Sequence, residues 1–325
     1  MKPFTFARAA TQNDAIRLLQ PGGKFIAGGT NLVDLMKEGV EQPVQLVDIQ
    51  RLALSTIKAN DLGGVSLGAL AKNTDTANHP LIRSKYPLLA QAILAGASPQ
   101  IRNMATNGGN LLQRTRCVYF YDVTMPCNKR EAGTGCGALE GLNQNHAILG
   151  WSETCVATFP SDMCVALAAL DAKVKVLGRD GKERVIDFVD FHRLPDSDAT
   201  RDNNLNAGDL VLSIELPKVN ASRSYYLKIR NRASYAFALV SVAAIFETKD
   251  GKISNPRIAL GGVAHKPWRA FDAEKFLNGK PATEENFKQA AEIALKDAKP
   301  LAENAYKITL AKRAIARALK TANGK

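Results

Sequence analysis

Apolar and polar positions in the first part of the chain alternate in short blocks. Lys24 to Ala27, Gln45 to Ile49 and Val65 to Leu70 read as short strands, Leu32 to Lys37 as the start of a helix, and Pro87 to Ala97 as a buried helix. From Leu111 to about Ser152 this rhythm stops. Gly133, Gly135, Gly137 and Gly141 crowd together, polar residues dominate, and neither the strand nor the helix period survives. A long structureless stretch inside a folded domain is usually functional. Periodicity resumes with a helix over Asp162 to Ala169 and a strand over Lys173 to Leu177. A boundary is expected at Pro217-Lys218-Val219-Asn220, which divides the chain into residues 1–217 and 218–325. Beyond it Ser224 to Arg230 reads as a strand, Phe237 to Phe246 as a strand or a helix, Lys249 to Lys252 as a turn and Ile253 to Gly261 as a strand. Helices over Thr283 to Ala298 and Leu301 to Thr321 complete an α+β unit.

Composition agrees with a folded protein. With 325 residues there is room for about two domains, and enough chain to bury a core without disulfide staples. Apolar residues make up 46% and charged residues 23%, which excludes a disordered or fibrous chain. No stretch approaches the roughly 18 apolar residues of a membrane span. Met1-Lys2-Pro3-Phe4-Thr5 lacks the basic and then apolar pattern of an export signal, so no signal of its own is expected, although export while folded against a signal-bearing partner stays open.

Lys and Arg outnumber Asp and Glu by 43 to 31, a net +12. The excess is spread along the chain, with Lys307, Lys312, Arg313, Arg317 and Lys320 concentrated near the end. They alternate helically with Ile308, Ala311, Ile315 and Leu319, which places all five on the wet face of a helix. No basic run is interleaved with aromatic residues, so nucleic acid is not an expected partner.

Two segments pair glycines with hydroxyl and amide side chains. In Ile26-Ala27-Gly28-Gly29-Thr30-Asn31-Leu32-Val33-Asp34 a strand meets a helix through a double glycine, and Thr30 or Asn31 can cap that helix. The spacing is neither GxGxxG nor GxxxxGK, and alone it fits a tight turn as well as a ligand loop. The second segment, Thr106-Asn107-Gly108-Gly109-Asn110, is flanked by Arg102, Arg114 and Arg116. Two such loops could clamp a pyrophosphate from two sides. Farther on, Asp162 opens an apolar helix, either as a plain first-turn acid or as a partner for ribose hydroxyls.

All five cysteines lie between Cys117 and Cys164. An odd count in a chain this large argues against a disulfide framework. Cys164 falls on an apolar helix face, where cysteine behaves as a small hydrophobe. Cys117, Cys127, Cys136 and Cys155 remain, and four thiolates can hold an iron–sulfur cluster or a zinc ion. No CxxC pair marks a zinc ribbon or a ferredoxin. His79, His146, His192 and His265 are scattered and read as surface or loop residues, with His146 closest to the cysteines.

The two glycine segments and the Ser161-Asp162 helix start, in this order, resemble the flavin subunits of the molybdenum hydroxylases. Leu210 to Pro217, Lys228-Ile229-Arg230-Asn231-Arg232 and Leu260-Gly261-Gly262-Val263-Ala264 extend the resemblance over essentially the whole chain. It implies an α+β architecture: a vanillyl-alcohol-oxidase type (PCMH-type) FAD-binding domain of two subdomains over residues 1–217, and the family's C-terminal α+β domain over 218–325. It also implies FAD, with its pyrophosphate on residues 26–34 (Ile26, Ala27, Gly28, Gly29, Thr30, Asn31, Leu32, Val33, Asp34) and on Thr106, Gly108, Gly109 and Asn110. Asp162 would meet the ribityl or ribose end, and Lys228 the flavin side.

Most of that family runs straight from the second glycine segment to the Ser-Asp helix, whereas here residues 111–155 intervene. A few relatives carry a [4Fe–4S] cluster there, which implies Cys117, Cys127, Cys136 and Cys155 as its ligands. The implied role is an electron-transfer subunit of an aldehyde oxidoreductase. It would work in a heterotrimer with a small two-[2Fe–2S] subunit and a large molybdenum subunit, and deliver electrons to an external acceptor. No side chain stands out as a general base. By the same resemblance the complex is periplasmic, with the cytoplasm as the alternative. A reading from another class is a zinc-stabilised basic protein that binds an anionic partner.

Overall fold

The computed structural model of the chain describes residues 1–325 apart from 62, 221, 222 and 325. Near the N-terminus β1 (Thr5–Arg8), β2 (Gly23–Ile26) and β3 (Gln45–Asp48) form a parallel sheet in the order β1-β3-β2. Parallel neighbours need crossover connections, and α1 (Gln12–Leu18) and α2 (Leu32–Lys37) supply them. A five-stranded antiparallel sheet follows, ordered β4-β5-β8-β6-β7, from β4 (Ile57–Ala59), β5 (Val65–Gly68), β6 (Lys173–Leu177), β7 (Glu183–Asp187) and β8 (Leu210–Leu216). The last sheet, ordered β12-β11-β10-β9, comprises β9 (Arg223–Ile229), β10 (Val240–Lys249), β11 (Lys252–Gly261) and β12 (Trp268–Arg269).

Between β5 and β6 lie α3 (Asn73–Asn78), α4 (Pro80–Lys85), α5 (Pro87–Ala95), α6 (Pro99–Arg102), α7 (Asn107–Leu111), α8 (Val118–Tyr121) and α9 (Asp162–Ala169). Pro80, Pro87 and Pro99 each sit in a first helical turn, where the missing N–H costs nothing. The short α10 (Phe188–Phe191) follows β7, and α11 (Phe271–Leu277), α12 (Glu284–Ala294) and α13 (Tyr306–Ala322) cover the last sheet.

Helix α9 is buried along its whole length, as a helix that is apolar all round must be. Ser161 caps it by accepting from the Cys164 N–H at 3.1 Å. It packs on α5, β10 and β11, so its apolar residues join the first half of the chain and the last sheet in one core. A second core lies between that sheet and α11 to α13. The expected α+β architecture is thus observed.

Four expectations need correction or sharpening. Phe237 to Phe246, ambiguous by pattern, is a strand from Val240, paired on both sides. The last helix begins at Tyr306, because Leu301 to Asn304 is occupied by a turn in which the Leu301 N–H donates to Asn304 Oδ1 at 2.7 Å. The second glycine segment is a turn of helix, capped by Thr106 through the Gly109 N–H at 3.2 Å. Lys307 is not on the wet face of α13. It is fully buried beside Ala311, Ala314 and Ile315.

The stretch after α7 holds only one helical turn, α8, before Asp162. It is nevertheless fastened to the body of the protein. Ile148 and Leu149 donate to the Val263 carbonyl at 2.9 and 3.0 Å, and Asn143 and Glu303 exchange hydrogen bonds at 2.9 and 3.0 Å.

A cation-lined cavity and four converging cysteines

Where the glycine turns, the start of α9 and the ends of β10 and β11 meet, the chain encloses a cavity of about 800 Å³. That is within the range of sites for small molecules and cofactors. Of the residues expected to bind FAD, Thr30, Asn31, Asp34, Gly109, Asn110 and Asp162 line it. The others stand one layer back. Ile26, Ala27, Gly28 and Gly29 form the end of β2 and its turn, Leu32 and Val33 the first turn of α2, and Thr106 and Gly108 the start of α7.

Packing explains the glycines. A Cβ on Gly28 would lie 2.1 Å from the Met104 carbonyl oxygen, so Gly28 lets the two glycine segments touch each other rather than a ligand. Gly29 has φ +69°, the left-handed region that other residues avoid. Gly109 does line the cavity, and its added Cβ would meet only Thr106 Oγ1, at 3.0 Å. Asn31 does not cap α2. Its Oδ1 accepts instead from the Arg114 N–H at 2.9 Å, which ties the first turn to the cysteine segment.

Asp162 and Lys228 form a buried pair, with Nζ to Oδ2 at 2.8 Å, and Tyr226 Oη donates to Asp162 Oδ1 at 2.6 Å. Lys228 is therefore not solvent-facing. It reaches the cavity through the carboxylate it holds. Burial and that carboxylate push the Tyr226 phenol well above its ordinary pKa, so it stays a donor.

The wall is cationic. Arg102, Arg116 and Arg232 line the cavity, and among the described residues none forms an ion pair. Arg102 donates to the Gly96 carbonyl at 2.6 Å and leaves its Nε buried without a partner. Arg116 stacks on Phe237, 5.1 Å from the ring centre. Both lining carboxylates are already engaged, Asp162 as above and Asp34 by Tyr121 Oη at 2.9 Å. Volume, positive charge and a free buried donor fit a dinucleotide that carries a pyrophosphate.

Cys117, Cys127, Cys136 and Cys155 all line a second, small cavity, whose free volume of about 10 Å³ is that of one water molecule. None is in a disulfide. Cys127 and Cys136 face each other across an isolated antiparallel bridge. Burial pushes the Cys117 thiol up to about 12 and Cys155 to about 11. A bound cation reverses such a shift by stabilising the thiolate. The donor set suits zinc or an iron–sulfur centre. Among the described residues no three Cys, His, Asp or Glu side chains stand in a ready ligand shell, so the site shows itself by convergence and chemistry. Cys164, buried in α9, is no part of it.

The histidines correct the sequence reading. His146, His192 and His265 are buried, and only His79, which caps α4, is partly exposed. His146 lines the large cavity, its Nε2 lies 3.1 Å from Cys117 Sγ, and its Nδ1 is buried without a partner. Tyr235, which no sequence pattern marked, and Phe237, which lies on the loop before β10 and not in the strand expected from that residue, complete the rim.

Residues 2–219 match the FAD binding domain in molybdopterin dehydrogenase, and residues 225–322 match the CO dehydrogenase flavoprotein C-terminal domain. The chain belongs to the FAD-binding subunits of the molybdenum hydroxylases. It is 48% identical to the aldehyde oxidoreductase FAD-binding subunit PaoB of Escherichia coli over 98% of both chains. To the glyceraldehyde dehydrogenase medium chain of Sulfolobus acidocaldarius it is 29% identical, over 89% of this chain and 85% of the other. Among solved structures, carbon monoxide dehydrogenase from Hydrogenophaga pseudoflava superposes with a TM-score of 0.78 at 25% identity, covering 100% of this chain and 99% of that one. Family membership makes the chain an oxidoreductase subunit with an FAD-binding domain and sets aside the zinc-stabilised binding protein.

Proposed function

We propose that this chain is the FAD- and [4Fe–4S]-bearing electron-transfer subunit of a molybdenum-dependent aldehyde oxidoreductase. The observation that carries the reading is the cation-lined cavity of about 800 Å³ in a chain 48% identical, end to end, to an aldehyde oxidoreductase FAD-binding subunit. The convergence of four free cysteines on one point supports the cluster.

When bound, FAD would supply the two-electron redox chemistry. The chain's own residues place and tune it. Arg102 and Arg116 offer charge to the pyrophosphate beside Gly109 and Asn110, and Asp162, fixed by Lys228 and Tyr226, offers acceptors to hydroxyl groups. His146 is no general base at neutral pH in the usual sense of a poised group, because burial pulls its pKa down to about 4. In this reading aldehyde oxidation belongs to a large molybdenum subunit, with a small two-[2Fe–2S] subunit between, and an external acceptor takes the electrons. Export of the folded complex to the periplasm is part of the same proposal and is checked by cell fractionation.

The test is rapid mixing of the assembled complex with an aldehyde. The flavin band, near about 450 nm, should bleach in the complex and stay unchanged when the chain alone meets the aldehyde. Aldehyde turnover by the isolated chain, or a complex whose flavin stays oxidised during turnover, would contradict the division of labour.

A further inference from the structure

Helix α13 carries an ammonium group inside the protein. Lys307 is 0% exposed, and its Nζ donates to the carbonyls of His146 at 2.8 Å, Asn145 at 3.2 Å and Gly262. Among the described residues it has no carboxylate partner. Glu303, the nearest acid in sequence, is turned to the Asn143 N–H at 2.9 Å, and the titratable side chain that senses Lys307 is His146. Asn145, His146 and Gly262 all line the large cavity. A buried cation without a counter-ion is costly, and here the three residues whose carbonyls hold it are also residues of the cavity wall.

We propose that Lys307 is a positioning residue of electrostatic kind: caged by the main chain of three wall residues, its ammonium favours negative charge on the occupant of the cavity and so raises the potential of a flavin bound there. The proposal rests on the flavin reading above. A flavin that takes up two electrons and one proton gains one negative charge, the electrons coming from substrate oxidation in the partner. A fixed cation behind the wall stabilises that charged state more than the oxidised one. With nothing anionic in the cavity, burial lowers the Lys307 pKa to about 7, and an anionic occupant opposes that shift and holds the group charged.

Three variants separate charge from packing. Lys307→Gln keeps N–H donors for the carbonyl cage without the charge, Lys307→Arg keeps the charge, and Lys307→Met removes both. Assembled complexes are titrated with dithionite for the flavin midpoint potential and assayed for FAD per chain and melting temperature. Gln and Met should each lower the preference for reduced over oxidised flavin about tenfold, which is about 30 mV for a two-electron couple. Arg should keep the wild-type potential. If Lys307→Met fails to fold, the Gln variant carries the test. A flavin-loaded Lys307→Gln complex at the wild-type potential overturns the proposal, and so does an Arg variant whose potential falls as far as that of Gln. A wild-type complex without flavin overturns the function proposed above, and the flavin content alone tells the two failures apart.

Discussion

Cys117 Sγ and His146 Nε2 meet at 3.1 Å, and Cys117 lines both the large cavity and the small one that the four cysteines share. The cysteine segment is therefore a wall of the large cavity. Gln113, Thr115, Arg116 and Val118 line the same cavity, Arg114 bonds Asn31, and Tyr121 bonds Asp34.

With the proposed cluster on the four cysteines, replacing one of them should consequently disturb more than the cluster itself. Cys117→Ser is expected to lose iron and also to weaken flavin retention, while Cys136→Ser, which touches only the small cavity, should lose iron and keep more of its flavin. Cys164→Ala should keep both and cost only packing, about 1–2 kcal/mol. Iron and flavin per chain, measured across the three variants, decide the matter. Full flavin in Cys117→Ser would contradict the shared wall.

The two glycine segments should fail in different ways. A side chain at Gly28 collides with the Met104 backbone, so Gly28→Ala should destabilise the fold by roughly 1–3 kcal/mol, with flavin lost as a consequence. Gly109→Val has mainly Thr106 Oγ1 to displace and should fold while binding little FAD. Melting temperature and flavin content, read together, separate the cases. A Gly109→Val protein with its full flavin would remove that residue from the site.

Asp162→Ala strands Lys228, which is 5% exposed, without its carboxylate. Breaking a buried pair from one side costs about 3–5 kcal/mol. Asp162→Asn, which keeps an oxygen for Tyr226, should cost less. Urea denaturation of the two variants provides the comparison, and equal, small losses would show that the pair does not hold α9 to β9.

Acid should weaken the fold through its buried histidines, His192 and His265 among them. Burial holds His192 at about 4 and His265 at about 3, the latter in the field of Lys129, Asp202 and His192. In the unfolded chain both titrate near about 6.5. Between these values the unfolded state binds more protons, so stability falls as pH drops below about 6.5, by up to about 1.4 kcal/mol per pH unit for each histidine. Above pH 7 neither contributes to the slope. His192→Phe, whose ring would keep the contacts with Phe159 and Phe188, should flatten the dependence between about pH 6 and 4 relative to wild type. Parallel slopes in denaturation series at several pH values would refute this.

Much of the site could be read from local pattern. The double glycines, the Ser161-Asp162 helix start and the clustering of cysteines all depend on near neighbours in the chain, and α9 and β6 match their sequence-derived limits. What escaped depends on tertiary partners. Charge alone put Lys307 outside, although its spacing to Ala311, Ala314 and Ala318 follows the buried stripe of α13. Strand β1 gave no signal, since its register is set by parallel pairing to the distant β3. Tyr235 reaches the cavity from a loop without period, and Phe237, expected to open the next element, lies on that same loop, so only the folded chain brings the two rings there.

Cofactor analysis of the purified chain tests the central claim most directly. Flavin, iron, acid-labile sulfide and zinc are measured per chain in one preparation. The account predicts about one FAD with about four iron and four sulfide and no stoichiometric zinc. A colourless protein carrying zinc, or a flavoprotein whose cysteines hold no iron, would contradict it.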